Sequence, residues 1–227
     1  MMKKMAGLQA LLEELRVAAS NAGRSSDEIA LMAVSKTQPY EAIADLYHSC
    51  HFLFGENRVQ EAAQKFPQNR PEGMNLHLIG HLQSNKAKQA VTLFDQIDSV
   101  DSLKLATLLE KHATRTLPIL LQLKTSDEES KFGFESEDEL LRALEQIASF
   151  EYLRVRGIMS IGPLTDNEVI TRRSFAQTRK LYERAQELFP ESGLDTLSMG
   201  MSGDFALAIA EGSTMVRIGT RIFGART

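Results

Sequence analysis

Three groups of residues in this chain have the types and spacing to do chemistry together. Lys36, in AVSKTQP, closes a short apolar run, and alternation along an extended strand puts Met32, Val34 and Lys36 on one face. An ammonium carried on an apolar stripe is desolvated, which lowers its pKa and raises the fraction of neutral amine. That amine attacks carbonyls, and a Schiff base with an aldehyde is the chemistry such a lysine does best. Taken by itself, Lys36 reads more simply as a strand-end lysine with its head in water. The segment SMGMSGDF sets Ser202, Gly203 and Asp204 at the start of a helical run, and VRIGTRIFG sets Gly219 and Thr220 just past a strand. Hydroxyls, backbone N–H groups at a helix start and glycines that admit a close approach are what hold a phosphate group. The same residues also serve simply to cap a helix and turn the chain.

Arg217 lies between these two junctions, inside a strand, where a charge needs a reason. A guanidinium only donates hydrogen bonds. Set against a pyridine nitrogen, it would keep that nitrogen unprotonated and the ring a poor electron sink. A salt bridge within the fold to Glu56 or Asp204 is the plainer use for it.

The elements that must position these groups alternate along the chain. Short apolar, strand-like runs begin near Leu31, Phe52, Leu76, Ile97, Leu117, Val155, Leu197 and Met215. Helical periodicity fills roughly 40–50, 57–66, 84–93, 102–114, 137–149, 168–189 and 204–211 between and after them. Strands alternating with helices pair in parallel, which selects a doubly wound sheet or a closed barrel. A dinucleotide-binding sheet should show a glycine-rich turn after its first strand, yet SKTQPYEAI follows Val34. The expected fold is therefore α/β, a single (β/α)8 barrel domain over 1–227, preceded by an extra N-terminal helix with Leu8, Leu11, Leu12, Leu15, Ala18 and Ala19 at helical spacing. Barrels of this kind carry function at the C-terminal ends of their strands. Lys36 then follows the first strand, Ser202 the seventh, and Gly219 and Thr220 the eighth. The segments Pro67–Asn75 and Thr125–Gly133 read as loops.

Composition removes several function classes. With 26 basic against 30 acidic side chains in 227 residues, the net charge of -4 gives no pull toward nucleic acid or an anionic membrane. No apolar run approaches the roughly 20 residues a bilayer span needs, and Glu13 and Glu14 interrupt the apolar start that a secretion signal would require. Cys50 is the single cysteine, so no intrachain disulfide forms and a reducing, cytoplasmic location is expected. His77 and His81 would stand about 13 Å apart in a strand, too far to share one zinc. Asp127, Glu128 and Glu129 read as a solvated loop. Arg172, Arg173, Arg179, Lys180 and Arg184 read as a solvated basic face, with docking as the lesser alternative.

AVSKTQP, FGENRVQE (54–61), HLIGHLQSNK (77–86), GIMSIGP (157–163) and the ending SMGMSGDF…VRIGTRIFG together resemble the pyridoxal phosphate homeostasis protein family, from about Leu31 to the C-terminus. The resemblance implies a fold like the barrel domain of alanine racemase, with pyridoxal 5′-phosphate held as a Schiff base on Lys36. It implies Asn57 beside the ring, Ser202, Gly219 and Thr220 on the phosphate, Arg217 on the pyridine nitrogen, and His81 and Ser160 near the pocket. Lys131 matches a basic position near the racemase ring oxygen. Two departures from the racemases point away from catalysis: no second domain is expected after Thr227 to supply an opposing tyrosine, and Ile161 stands where a histidine would be. The implied role is a non-catalytic, cytoplasmic cofactor holder acting in pyridoxal phosphate supply and amino-acid balance, with apoenzymes that use the cofactor as partners and a monomeric state. The alternatives are a racemase-like or transaminase-like enzyme of low activity using the same cofactor, and a lysine-dependent aldolase acting on a phosphosugar.

Overall fold

The computed structural model describes residues 2–67, 69–126 and 132–224. Its strands are β1 (Ala30–Val34), β2 (Leu53–Glu56), β3 (Asn75–Leu78), β4 (Gln96–Val100), β5 (Leu117–Leu123), β6 (Leu153–Ser160), β7 (Thr196–Ser198) and β8 (Met215–Ile218). They pair in sequence order, all parallel, and β8 closes on β1. The expected barrel is the observed one. The helices between strands are α2 (Tyr40–Tyr47), α3 (Val59–Lys65), α4 (Ala87–Leu93), α5 (Leu103–His112), α6 (Glu137–Ile147), α7 (Glu168–Leu188) and α8 (Phe205–Ala210). Each falls within a segment whose periodicity predicts it.

Local chemistry starts several of these helices. The Ser102 and Ser136 side chains accept the Leu105 and Glu139 N–H groups, and the Asn167 side chain accepts those of Val169 and Ile170. Such caps satisfy first-turn donors that have no intrahelical acceptor. Leu140, Leu141, Leu144 and Ile147 then form the stripe that α6 buries.

Burial follows the alternation of the strands. Leu31, Ala33, Phe54, Leu76, Ile97, Ile119 and Leu121 belong to the layer between strands and helices, the main core. Met32, Leu120 and Met159 are buried outside that layer, toward the barrel axis, with the polar residues His77, Asp98 and Arg217. Both faces of LPILLQL are buried, which explains its near-continuous apolar run.

The N-terminal helix α1 (Met2–Asn21) packs on α8 and on a short helix, α9 (Thr220–Phe223), burying Leu8, Leu11, Leu15 and Ala19. Leu12 faces out instead, 47% exposed. No sequence signal marks α9, because four residues are too few to show a period. The basic residues of α7 are partly ion-paired, Arg179 with Glu183 at 2.7 Å and Arg172 with Glu211 at 3.2 Å. Asp127, Glu128, Glu129 and Lys131 lie outside the described residues. No helix among the described residues is long and apolar enough to cross a membrane.

At Gly157, β6 and β7 leave no room for a side chain. A Cβ on Gly157, whose φ is +158°, would sit 1.7 Å from the Thr196 carbonyl oxygen. Gly157→Ala must push these strands apart and is expected to destabilise the fold by about 3 kcal/mol or more, read as a lowered urea midpoint. A loss under about 0.5 kcal/mol, the range of an ordinary surface change, would contradict this packing.

Candidate functional site

At the C-terminal end of the barrel, where β1 and β8 meet, a cleft of about 320 Å³ opens. Its wall includes Lys36, Asn57, Ser202, Arg217, Gly219 and Thr220, all singled out by sequence. The β1–β8 register sets Met32 opposite Arg217, so Val34 and Lys36 continue the same face into the cleft. Gly219 is required by closeness: a Cβ there would lie 2.9 Å from the Val34 carbonyl oxygen.

Arg217 is buried, and its guanidinium is fixed by protein oxygens. Nη1 donates to the Ser198 carbonyl at 2.8 Å and the Ser198 hydroxyl at 2.7 Å, and Nη2 donates to the Ser160 carbonyl at 2.8 Å. Three of the five guanidinium N–H groups are thereby committed. Burial lowers its pKa to about 10, against the fields of Asp98 and Asp204 that favour the charge, so it stays cationic at neutral pH. The salt bridge offered as its plainer use is not what the structure shows. Glu56 pairs with Lys65 at 2.8 Å, and Asp204 Oδ1 accepts the Met201 N–H at 2.6 Å.

On the phosphate-like side, Ser202 and Gly203 lie in the turn before α8, and a Cβ on Gly203 would meet nothing within 4 Å. Gly219 precedes α9, and its carbonyl accepts the third and fourth N–H groups of that helix, from Ile222 and Phe223, both at 2.9 Å. The first N–H groups of α9, at Thr220 and Arg221, have no intrahelical acceptor. Asn57 does not cap α3, whose N-cap is Arg58. Its Oδ1 is buried without a hydrogen-bond partner, a polar atom left for something in the cleft to satisfy.

Ser160 and His81 sit off the cleft wall. The Ser160 hydroxyl meets Thr178 Oγ1 at 3.1 Å, toward α7, and only its carbonyl touches the site, through Arg217. His81 lines a neighbouring groove that shares Asn57 with the cleft, 2.9 Å from Asp101 and stacked on Phe132 with ring centroids 3.6 Å apart. His77 points into the barrel against Asp98 at 3.3 Å, so the two histidines have separate partners. Among the described residues, no group of three or more His, Cys, Asp or Glu could hold a metal ion. Sequence reasoning missed Thr37, Gln38, Ile79, Met201 and Phe223 on the cleft wall. All five lie inside the quoted segments, but their hydroxyl, amide and apolar side chains did not by type point to a role in the site.

Arg217→Met would leave three buried acceptors without their donor. We expect a loss of roughly 3 kcal/mol or more in urea unfolding with an unchanged m-value, and a change within 0.5 kcal/mol, as for a surface residue, would contradict the role given to these bonds.

Residues 7–227 match the family described as alanine racemase, N-terminal domain. The pyridoxal phosphate homeostasis protein of Haemophilus influenzae is 40% identical over 224 residues, covering 96% of this chain and 94% of that one. Its counterpart in Escherichia coli strain K12 is 42% identical over 225 residues, covering 94% and 93%. Among solved structures, PipY of Synechococcus elongatus with PLP bound superposes with a TM-score of 0.78 at 40% identity, over 87% of this chain and 93% of that one. Alanine racemase from Corynebacterium glutamicum, 17% identical with a TM-score of 0.68, shares the fold over 96% of this chain and 61% of its own. The chain belongs to the pyridoxal phosphate homeostasis protein family, within the sequence family of the alanine racemase barrel domain.

Proposed function

We propose that this chain is one barrel domain over 1–227 that binds pyridoxal 5′-phosphate in the β1–β8 cleft, holds it without catalysing amino-acid chemistry, and acts in cofactor supply and amino-acid balance. The observation that carries the reading is the meeting of one lysine amine and one buried arginine on the wall of a single cleft of about 320 Å³. That size suits one small cofactor. The curated relatives bear the homeostasis name, and PipY was solved with PLP bound.

When bound, the cofactor supplies an aldehyde that condenses reversibly with primary amines. Lys36, on the cleft wall, would provide the amine that meets this aldehyde. Ser202, Gly219 and Thr220 hold the phosphate through hydroxyl and backbone donors. Asn57 offers its unpartnered Oδ1 beside the ring. Arg217, with two N–H donors left uncommitted by Ser198 and Ser160, would donate to the lone pair of the ring nitrogen and so keep that nitrogen unprotonated. Ser160 acts through the carbonyl that fixes Arg217, and His81 borders the adjoining groove.

The wall also supports the non-catalytic part. Among the described residues that line the cleft, Lys36 and Arg217 are the only ionisable ones, and Arg217 stays cationic, which leaves Lys36 as the one group able to carry a proton to and from a substrate. Ile161 is on that wall and offers no proton acceptor. Moving a proton across two faces of a substrate needs two such groups. Because imine formation is reversible, an incoming free amine would be able to take the place of Lys36, and release to a recipient apoenzyme would need no cleavage of the chain. The unpaired, exposed Cys50 suits a reducing cytoplasm, and a monomer completes the reading.

Borohydride reduction of the protein loaded with pyridoxal 5′-phosphate, followed by peptide mapping, is expected to mark Lys36, and Lys36→Ala to lose both the adduct and the visible absorption band. A map that omits position 36 would sink the assignment, and rapid turnover of amino-acid stereochemistry would sink its non-catalytic part. Arg217→Glu is expected to alter the visible spectrum of the loaded protein, because an acid there favours a protonated ring nitrogen. An unaltered spectrum would remove Arg217 from that position.

A further inference from the structure

Behind β1, under α3, a partly buried ion cluster holds the backbone on both sides of Lys36. Lys65 ends α3 with its side chain 9% exposed. Its ammonium donates to the Ser35 carbonyl at 2.9 Å, to Glu56 Oε1 at 2.8 Å and to Glu61 Oε1 at 2.9 Å. An ammonium has three protons, and these contacts use them all. Glu56 Oε1 also accepts the Ser35 hydroxyl at 2.7 Å, and Glu61 Oε1 accepts the Thr37 N–H at 2.5 Å. The Ser35 carbonyl and the Thr37 N–H belong to the two peptide groups that bracket Lys36. Both therefore end on Lys65, one directly and one through Glu61.

The backbone so held is strained. Thr37 has φ of +64°, a left-handed conformation that a β-branched residue rarely adopts. Such strain persists only where the surroundings over-determine it, and the Glu61 bond falls on that residue. Glu61 loses charge stabilisation to burial, yet the bonds from Lys65 and Thr37 outweigh this and hold its carboxyl below the usual range. As a stability device the cluster is poor. Burial pushes the Glu56 carboxyl up, and Glu56 Oε2 has no partner among the described residues. Apolar side chains usually serve a fold as well as a buried ion pair does. None of these three residues lines the Lys36 cleft.

We infer that Lys65, Glu61 and Glu56 are positioning residues for Lys36: they clamp its two flanking peptide groups and fix a strained turn that presents the amine to the cleft. The inference rests on Lys36 being the cofactor-binding amine.

The test titrates wild type, Lys65→Met, Lys65→Arg, Glu61→Gln and the double variant Glu61→Gln/Thr37→Gly with pyridoxal 5′-phosphate. Visible absorption follows binding, thermal unfolding of each unliganded protein confirms folding, and borohydride mapping of wild type locates the adduct. Lys65→Met and Glu61→Gln are expected to bind roughly tenfold to a hundredfold more weakly, the usual effect of a misplaced reacting group. Lys65→Arg should recover part of the loss. Thr37→Gly should recover part of the Glu61→Gln loss, because glycine takes a positive φ without strain. Wild-type affinity in folded Lys65→Met and Glu61→Gln overturns the inference, and so does a loss that neither rescue reduces. Should Lys65→Met not fold, Glu61→Gln with and without Thr37→Gly decides the matter. No adduct at Lys36 in wild type overturns the cofactor assignment and this inference with it.

Discussion

A guanidinium inside a closed barrel is the constraint on which the rest of the site depends. Taking a charge out of water costs several kcal/mol, and Arg217 recovers that only through donors and acceptors that must be in register. Its bonds to Ser198 and to the Ser160 carbonyl tie β8 to β7 and β6, so the same contacts that make its burial tolerable also pin the C-terminal ends of those strands. Asp98, inside the barrel with His77 and Gln96 as partners, adds a field that favours the cation. With three N–H groups committed to protein oxygens, the remaining two have a fixed direction. A residue that cannot accept a proton is thereby presented to whatever lies in the cleft.

Closure then decides which other groups Arg217 meets. Because β8 pairs with β1, residues from the two ends of the chain share one face, and Lys36 and Gly219 reach the same cleft. An open sheet with these strands at opposite edges would separate them. The helix α1 packs on α8 and α9, the two helices that follow the phosphate-like turns. The N-terminal helix is thus coupled to the site through those helices, while none of its described residues lines the cleft wall.

Much of this was legible in the sequence where a rule of periodicity or chemistry applied. Runs such as LMAVS and LPILLQL gave strands because both their faces are buried, and helix stripes such as that of α6 had enough turns to show a period. Lys36, Ser202, Gly219 and Thr220 could be assigned to one end of the barrel because they follow the first, seventh and eighth strands. What stayed hidden depends on three-dimensional register. The partners of Arg217 include backbone carbonyls, which leave no trace in residue type. Ser160 was close to the site by position, yet its hydroxyl turns toward Thr178. The Lys65–Glu56–Glu61 cluster joins Glu56 of β2, which the sequence offered to Arg217, to two α3 residues that look like ordinary surface charges, and the φ of Thr37 runs against the preference of its own side chain.

The most direct test of the central claim is the 15N chemical shift of ring-labelled pyridoxal 5′-phosphate bound to the protein at neutral pH. A guanidinium fixed against the ring, able only to donate, predicts the shift of an unprotonated, hydrogen-bonded pyridine nitrogen. The shift of a pyridinium would contradict the account, because no arrangement of Arg217 could then face that atom.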